Sequence, residues 1–262
     1  SATLCATPAL AATSPSIHRD SLSGVPAQTL TIGTGAGFRI QDAQFTSTSS
    51  SFSTQAGAVY YGHDAYCVVY DGAGGDVSGS FSLKWQSLGT DADGDPVDVA
   101  ITISNIYVGH AGPYTICESG TYNGSGAAMF QLDADGRARY DMSVRATKHG
   151  TDAPASGTAI LGVKDLDQVG GYGPEFAESV ELLSGYGPDV YLTPDCTVSV
   201  TNGNRKFTAT AEDNETYRSG FVTTYGGEGI SFRWRGGSCG TDLLEQFSPS
   251  VINASAGTGG SI

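Results

Sequence analysis

Residues 77–108 read "VSGSFSLKWQSLGTDADGDPVDVAITISNIYV". The two halves, 77–88 and 97–108, alternate apolar with polar side chains or are rich in β-branched and aromatic residues, which is typical of strands with one buried face. Between them Asp93-Gly94 is a dipeptide that favours tight turns. The stretch therefore predicts two antiparallel strands joined by a polar hairpin loop.

The same pattern recurs from "QTLTIGT" to "GISFRWRG", with turn signals such as Asp71-Gly72 and 201–206 between the segments. Only two short segments carry helix signals. Residues 174–184 begin with a proline and place apolar residues on one face, and residues 240–247 offer an N-cap before an apolar run. We therefore predict an all-β fold, an antiparallel β-sandwich of one large or two fused lobes, with one or two short helices.

Composition restricts the classes of partner. The chain has 262 residues, among them 37 glycines, and a net charge of −14 from 27 acidic and 13 basic residues. Such a surface repels a phosphate backbone, so we expect no nucleic acid partner. The sequence has no run of about 20 apolar residues, so we expect no insertion into a membrane.

The two ends differ from the middle. Residues 1–24 read as the remnant of a signal peptide followed by a tail, because Ala9-Leu10-Ala11 matches a cleavage signal that would start the mature chain near Ala12. The segment could instead be a flexible tail, or a strand that adds to a neighbouring subunit. We expect the β-sandwich to span 25–247 and a linker to span 248–262.

Five cysteines are present, at Cys5, Cys67, Cys117, Cys196 and Cys239. If the first belongs to the signal peptide, four remain, which suits two disulfides in an oxidising compartment. The simplest pairs are Cys67–Cys117 and Cys196–Cys239, although four cysteines allow three connectivities and the sequence does not choose among them.

The hairpin loop is also a candidate calcium site. Four carboxylates, on Asp91, Asp93, Asp95 and Asp98, lie within eight residues, and calcium prefers oxygen ligands. The spacing does not follow the EF-hand pattern, however, and a polar turn explains the same residues without a metal. We favour the turn and expect no cofactor.

Several segments, in this order, suggest a family: "DPVDVAITISNI", "TAILGVKDLDQV", "DVYLTPDCTVSVTNG" and "GFVTTYGGEGISFRW". Together they resemble the non-repetitive β-sandwich domain near the N-terminus of wall-anchored, adhesin-like surface proteins of Gram-positive bacteria. The resemblance covers about residues 58–235, and "KDLD" at 164–167 is its most specific part. It implies a secreted protein attached to the cell wall and exposed at the cell surface.

The function predicted from these observations is adhesion. We expect a host glycan or extracellular protein to bind loops at one end of the sandwich, because loops on a rigid scaffold commonly carry recognition. We expect no catalysis, because the sequence offers no complete catalytic set. The alternatives are a filament subunit that self-assembles through its N-terminal strand, or a secreted enzyme acting on polysaccharide. The candidate anchors are tyrosines at or near glycine-rich turns, namely Tyr107, Tyr114, Tyr122, Tyr172 and Tyr186.

Overall fold

The computed structural model describes residues 13–20, 22–32, 39–60, 63–109, 111–112, 114–119, 129–133, 136–164, 166–168, 177–211, 217–238 and 243–248. Within these ranges the strands and three 3₁₀ turns, at Leu22–Gly24, Ile40–Asp42 and Tyr217–Ser219, are the regular secondary structure, and turns and loops connect them. The all-β class predicted from the sequence is confirmed.

The strands, in chain order, are β1 Ser16–His18, β2 Thr31–Ile32, β3 Gln44–Ser47, β4 Phe52–Tyr60, β5 His63–Tyr70, β6 Gly75–Asp76, β7 Phe81–Thr90, β8 Pro96–Val108, β9 Tyr114–Ser119, β10 Met129–Asp133, β11 Gly136–Lys148, β12 Thr158–Lys164, β13 Ser179–Ser184, β14 Tyr186–Tyr191, β15 Val198–Thr201, β16 Lys206–Ala209, β17 Phe221–Gly226, β18 Ile230–Ser238 and β19 Leu243–Ser248.

These strands form two sheets. Sheet A has the order β1-β14-β17-β12-β19-β10-β9-β5-β4, and sheet B has the order β15-β16-β13-β18-β11-β8-β7-β2, with β3 also on β7 and β6 also on β8. All pairings are antiparallel except β1 with β14. The hairpin predicted at 77–108 is present, because β7 and β8 pair directly and residues 91–95 connect them.

Both segments predicted as helices contain strands instead. Residues 174–184 include β13, which pairs with β16 on one side and β18 on the other. Residues 240–247 overlap β19, which pairs with β10 and β12. In β13 Val180 and Leu182 are both buried, at the two-residue period of a strand. Hydrogen bonds to two neighbouring strands override the weak helix signals of such short segments.

The inner faces of the two sheets enclose one apolar cluster that runs from Leu30 to Trp234. Phe207 of sheet B stacks on Phe221 of sheet A, with ring centroids 4.1 Å apart. The ring centroids of Phe52 of sheet A and Phe81 of sheet B are 5.3 Å apart. Within the described residues the core is therefore continuous, as expected for one large sandwich.

The strand β1 lies at one edge of sheet A, where it pairs with β14 of the same chain. The Tyr186 hydroxyl donates to the carbonyl of Thr13 at 2.9 Å, and the Asn204 amide donates to that of Pro15 at 3.0 Å. His18 Nε2 lies 2.7 Å from Asp189 Oδ1. The segment that follows covers the outer surface of sheet A, where Val25 packs with three buried side chains of the sheet, those of Ile160, Tyr191 and Val222. Among the described residues no helix has the length and hydrophobicity needed to span a membrane.

Candidate functional site

The loop between β7 and β8 is organised around the buried carboxylate of Asp91. Its Oδ1 accepts the backbone N–H groups of Asp93 at 3.0 Å and Asp95 at 2.9 Å. Gly94 has φ +87, a conformation that glycine adopts without strain. The polar turn predicted here is therefore present. The Asp91 carboxylate accepts hydrogen bonds from backbone N–H groups that have no backbone acceptor in a tight loop.

A lysine from β11 supplies the positive charge of this loop. The carboxylate oxygens of Asp91, Asp93 and Asp95 lie within 4.8 Å of one another. Lys148 Nζ lies 3.6, 3.4 and 2.8 Å from these three carboxylates, in that order. Burial alone would raise the pKa of Asp91, but N–H groups led by that of Ser156 lower it to about 2. The hydrogen bond to Asp95 raises the pKa of Lys148, so the ammonium is the counter-ion of the cluster.

Asp98, the fourth residue of the predicted calcium set, does not join this group. Its buried carboxylate accepts from the backbone N–H of Ser87 at 3.0 Å and lies 2.6 Å from Nδ1 of His149. Lys84 Nζ is 3.6 Å away. Burial raises the pKa of Asp98, but the contact with His149 and the backbone N–H groups lower it overall. The structure therefore separates the predicted four-carboxylate set into a group of three and one residue with its own partners, Lys84 and His149.

The three predicted tyrosine anchors that the structure describes do not share one loop surface. Tyr114 is buried, with 2% of its surface exposed, and packs in the core, which corrects its prediction as a loop anchor. Tyr186 is half-buried and its hydroxyl is bonded within the chain. Tyr107 is half-exposed on β8. Tyr122 and Tyr172 lie outside the described residues.

The strand register places Cys67 directly opposite Cys117 on β5 and β9. Directly opposed residues in antiparallel strands have Cα atoms about 4.5–5.5 Å apart, which lies within the range that a disulfide spans. Cys196 is a free thiol, and Nη1 of Arg19 lies 2.8 Å from its Sγ. The predicted Cys196–Cys239 disulfide is therefore not formed; Cys239 itself lies outside the described residues, as does Cys5.

Charge is divided unevenly between the two sheets. The strands of sheet B contain eight of the 13 basic residues and four of the 27 acidic ones. The strands of sheet A contain one basic residue and five acidic ones. The bases of sheet B are Lys84, Arg137, Arg139, Arg145, Lys148, Lys206, Arg233 and Arg235. A chain with a net charge of −14 thus has one sheet with an excess of positive charge.

Six of these bases alternate with buried residues along their strands and therefore lie on the solvent side of sheet B. We call this surface the basic face, defined by Lys84, Arg139, Arg145, Lys206, Arg233 and Arg235. The alternation explains why they share a face: in β18 Phe232 and Trp234 are buried, whereas Arg233 and Arg235 point the other way.

One row across the basic face is neutralised within the chain. Arg233 binds Asp141 through two hydrogen bonds, of 2.6 and 2.9 Å. Arg233 is also opposite Glu181, which in turn is opposite Lys206. Burial alone would raise the pKa of Asp141, but the hydrogen bonds from Arg233 and Asn105 lower it overall. This row is a structural ladder of alternating charges.

The adjacent row is not neutralised in the same way. Arg139 lies directly opposite Arg235 on one side and Tyr107 on the other. Its guanidinium carbon is 5.7 Å from the centre of the Tyr107 ring. The carboxylate that pairs with Arg139 is that of Asp76, at 2.9 Å, whose side chain is 81% exposed. No described carboxylate forms an ion pair with Arg235, and Arg235 is exposed.

A β-bulge holds Arg139 in place. The register between β8 and β11 shifts between Arg139 and Asp141, so β8 carries an extra residue there. Asn105 lies in that shift with φ +50, and its side chain contacts both neighbours: Oδ1 accepts from Arg139 at 3.2 Å, and Nδ2 donates to Asp141 at 3.0 Å. Bulges commonly redirect side chains beside functional sites. Sequence reasoning missed this face, although basic residues two apart in "RAR" and "RWR" were a signal for it.

Comparisons with known proteins agree with this fold. The structure is similar to the N-terminal domain of the Streptococcus gordonii adhesin Sgo0707, with a TM-score of 0.65, 10% identity and coverage of 92% of this chain and 66% of that chain. This chain thus spans slightly less than two thirds of that domain's length.

A second similar structure is the adhesin domain of PrgB from Enterococcus faecalis, solved bound to DNA, with a TM-score of 0.47, 12% identity and coverage of 91% and 98%. No model of a known family and no curated protein matches the sequence. The likeness to the streptococcal domain extends over nearly the whole chain, and the chain therefore has the β-sandwich fold of an adhesin N-terminal domain.

Proposed function

We propose that the chain is an extracellular binding module of a cell-surface adhesin, that it is not an enzyme, and that the basic face is its contact surface. The observation that carries the adhesion role is the likeness of fold to the streptococcal adhesin domain over 92% of the chain. The partner is a host glycan or an extracellular protein.

The basic face supports this proposal better than the tyrosine loops do. Tyr114 is buried and Tyr186 is bonded within the chain, whereas Tyr107 lies beside Arg139 on the outer side of sheet B. Arginine and tyrosine are enriched where proteins make contacts with partners. A broad sheet face also offers a larger contact area than single loop tips.

The pairing of β1 with β14 in the same chain favours the binding module over a filament subunit. In a filament built by strand addition, that edge would accept a strand from a neighbour. Here the edge of β14 is covered by the chain's own N-terminal segment.

The register of Cys67 opposite Cys117 supports secretion as part of the same proposal. We propose a disulfide between these two residues, because a pair at that separation oxidises readily outside the cell. Cys196 has no part in this bond.

The test is an array of matrix proteins and of neutral and acidic glycans, run beside a hydrolysis screen on the same polysaccharides. We expect saturable binding to at least one surface without release of product, and no binding by the heat-unfolded protein. Turnover that disappears when one Asp or Glu is replaced would instead make the chain an enzyme. Absence of binding to every surface would overturn the adhesion role.

A further inference from the structure

The opposed arginines of the basic face need a counter-ion. Like charges directly across an antiparallel pair destabilise a sheet, and such residues have Cβ atoms about 4.5–5.5 Å apart. Arg139 and Arg235 are such a pair. The row beside them shows how the same sheet neutralises an arginine, because Asp141 and Glu181 lie on the two sides of Arg233. The Arg139–Arg235 position has no second carboxylate of this kind among the described residues.

We propose that Arg139 and Arg235 bind the anionic groups of an acidic polysaccharide that lies across the outer side of sheet B. This inference rests on the proposed function and specifies the ligand class. Guanidinium groups bind carboxylates and sulfates through paired hydrogen bonds, and two adjacent arginines offer two such forks side by side. The exposed carboxylate of Asp76 is then the group that the ligand displaces from Arg139.

The surroundings of the pair suit a sugar. Tyr107 places a half-exposed ring beside Arg139, and an aromatic ring can stack on the apolar face of a sugar. Beyond the Arg233–Asp141 row, the next outward row of sheet B carries hydroxyl groups, on Thr102, Ser143 and Ser231. Hydroxyl groups donate to and accept from the hydroxyls of a glycan.

Charge density favours a polysaccharide over nucleic acid. Duplex DNA carries one charge per about 1.7 Å, and the whole chain, with a net charge of −14, repels so dense a polyanion beyond the basic face. An acidic glycan carries its charges farther apart, with neutral sugar surface between them. Its anionic groups can therefore pair with the two arginines. Its other units carry fewer charges and are repelled less by the acidic residues around the basic face.

The experiment measures binding of the full chain to four probes: a heparin oligosaccharide with sulfates and carboxylates, a hyaluronan oligosaccharide with carboxylates alone, neutral dextran, and a short DNA duplex. The test variant is Arg139→Ala with Arg235→Ala. The matched control is Arg39→Ala with Arg218→Ala, which removes the same charge from side chains that are each 52% exposed elsewhere on the chain. A second test variant, with both face arginines changed to Lys, keeps the charge and removes the paired hydrogen bonds.

We expect the wild type to bind heparin or hyaluronan, with an affinity that falls as salt rises, and not to bind dextran. The face variant should bind roughly tenfold or more weakly, the lysine variant should fall between, and the control should match the wild type. Melting curves of all variants should coincide within a few degrees. The stronger of the two acidic glycans identifies sulfate or carboxylate as the group recognised.

Three results would overturn the inference: equal losses in the face variant and the control, tighter binding to the DNA duplex than to either acidic glycan, or no binding to either glycan. In the last case, binding to a matrix protein or neutral glycan in the array would leave the adhesion role standing. Failure on every surface would remove both proposals.

Discussion

At the scale of single residues, the aspartates of the β7–β8 loop show why a sequence pattern alone did not decide between a metal site and a turn. The spacing of Asp91, Asp93 and Asp95 brings three carboxylates together, as a calcium site requires. The cation that meets them is Lys148, from a strand 53 residues away from Asp95 in the chain. The sequence could not show this, because the contact depends on the pairing of β11 with β8.

We predict that calcium leaves the melting temperature unchanged, because the Lys148 ammonium already neutralises the loop. The measurement is thermal unfolding in calcium and in chelator. A ligand that binds only the folded state stabilises it by an amount that grows with the ligand concentration relative to its Kd, so a rise of several degrees in calcium that chelator reverses would contradict this prediction.

Asp98 allows a sharper test, because its carboxylate is buried and bonded. Replacing it with Asn should lower the free energy of unfolding at neutral pH by roughly 2 kcal/mol, since it leaves the partners of the carboxylate poorly satisfied. The pKa of Asp98 is lowered in the folded state. Its stabilisation is therefore present above the unfolded value of 3.8 and is lost as the pH falls through the folded pKa.

The measurement is urea unfolding of the wild type and Asp98→Asn between pH 7 and pH 3. The difference between them should shrink as the pH falls below about 4. The control is Asp93→Asn. Because the Asp93 side chain is 61% exposed, this substitution should change the free energy of unfolding by less than about 0.5 kcal/mol. A difference that does not change with pH would show that the charge of Asp98 is not what stabilises the fold.

At the scale of elements, β13 and β19 explain where sequence reasoning succeeded and where it failed. The alternating strands around the hairpin at 77–108 were predictable, because each carries its own two-residue period. In 174–184, Val180 and Leu183 also fit a helical face, and only the neighbours β16 and β18 decide for a strand. The strand order was not predictable either, since hydrogen bonds between strands far apart in sequence determine it.

The proposed disulfide joins β5 to β9, which are neighbouring strands in the interior of sheet A. Closing a loop of about 50 residues in the unfolded chain stabilises the fold by roughly 4 kcal/mol in the chain-entropy model. Replacing Cys67 and Cys117 by Ser should therefore lower the melting temperature substantially, whereas Cys196→Ser should not. Thiol labelling of the unreduced, denatured protein should modify Cys196 and leave Cys67 and Cys117 unmodified; labelling of those two would contradict the bond.

At the scale of the whole molecule, net charge conceals how charge is distributed. The value of −14 led to the expectation that the surface repels a phosphate backbone. The strands of sheet B nevertheless contain twice as many basic as acidic residues. The basic face could not be predicted from composition, because Arg139 and Arg235 are 96 residues apart and become neighbours only through the β11–β18 pairing.

The central claim is that the molecule binds its partner through the basic face. It is tested most directly by arginine-specific labelling with phenylglyoxal, read by mass spectrometry, in the presence and absence of a saturating heparin oligosaccharide. The account predicts that bound ligand protects Arg139 and Arg235 and leaves Arg39 and Arg218 as reactive as before. Protection of Arg39 or Arg218, with Arg139 and Arg235 still fully labelled, would contradict it.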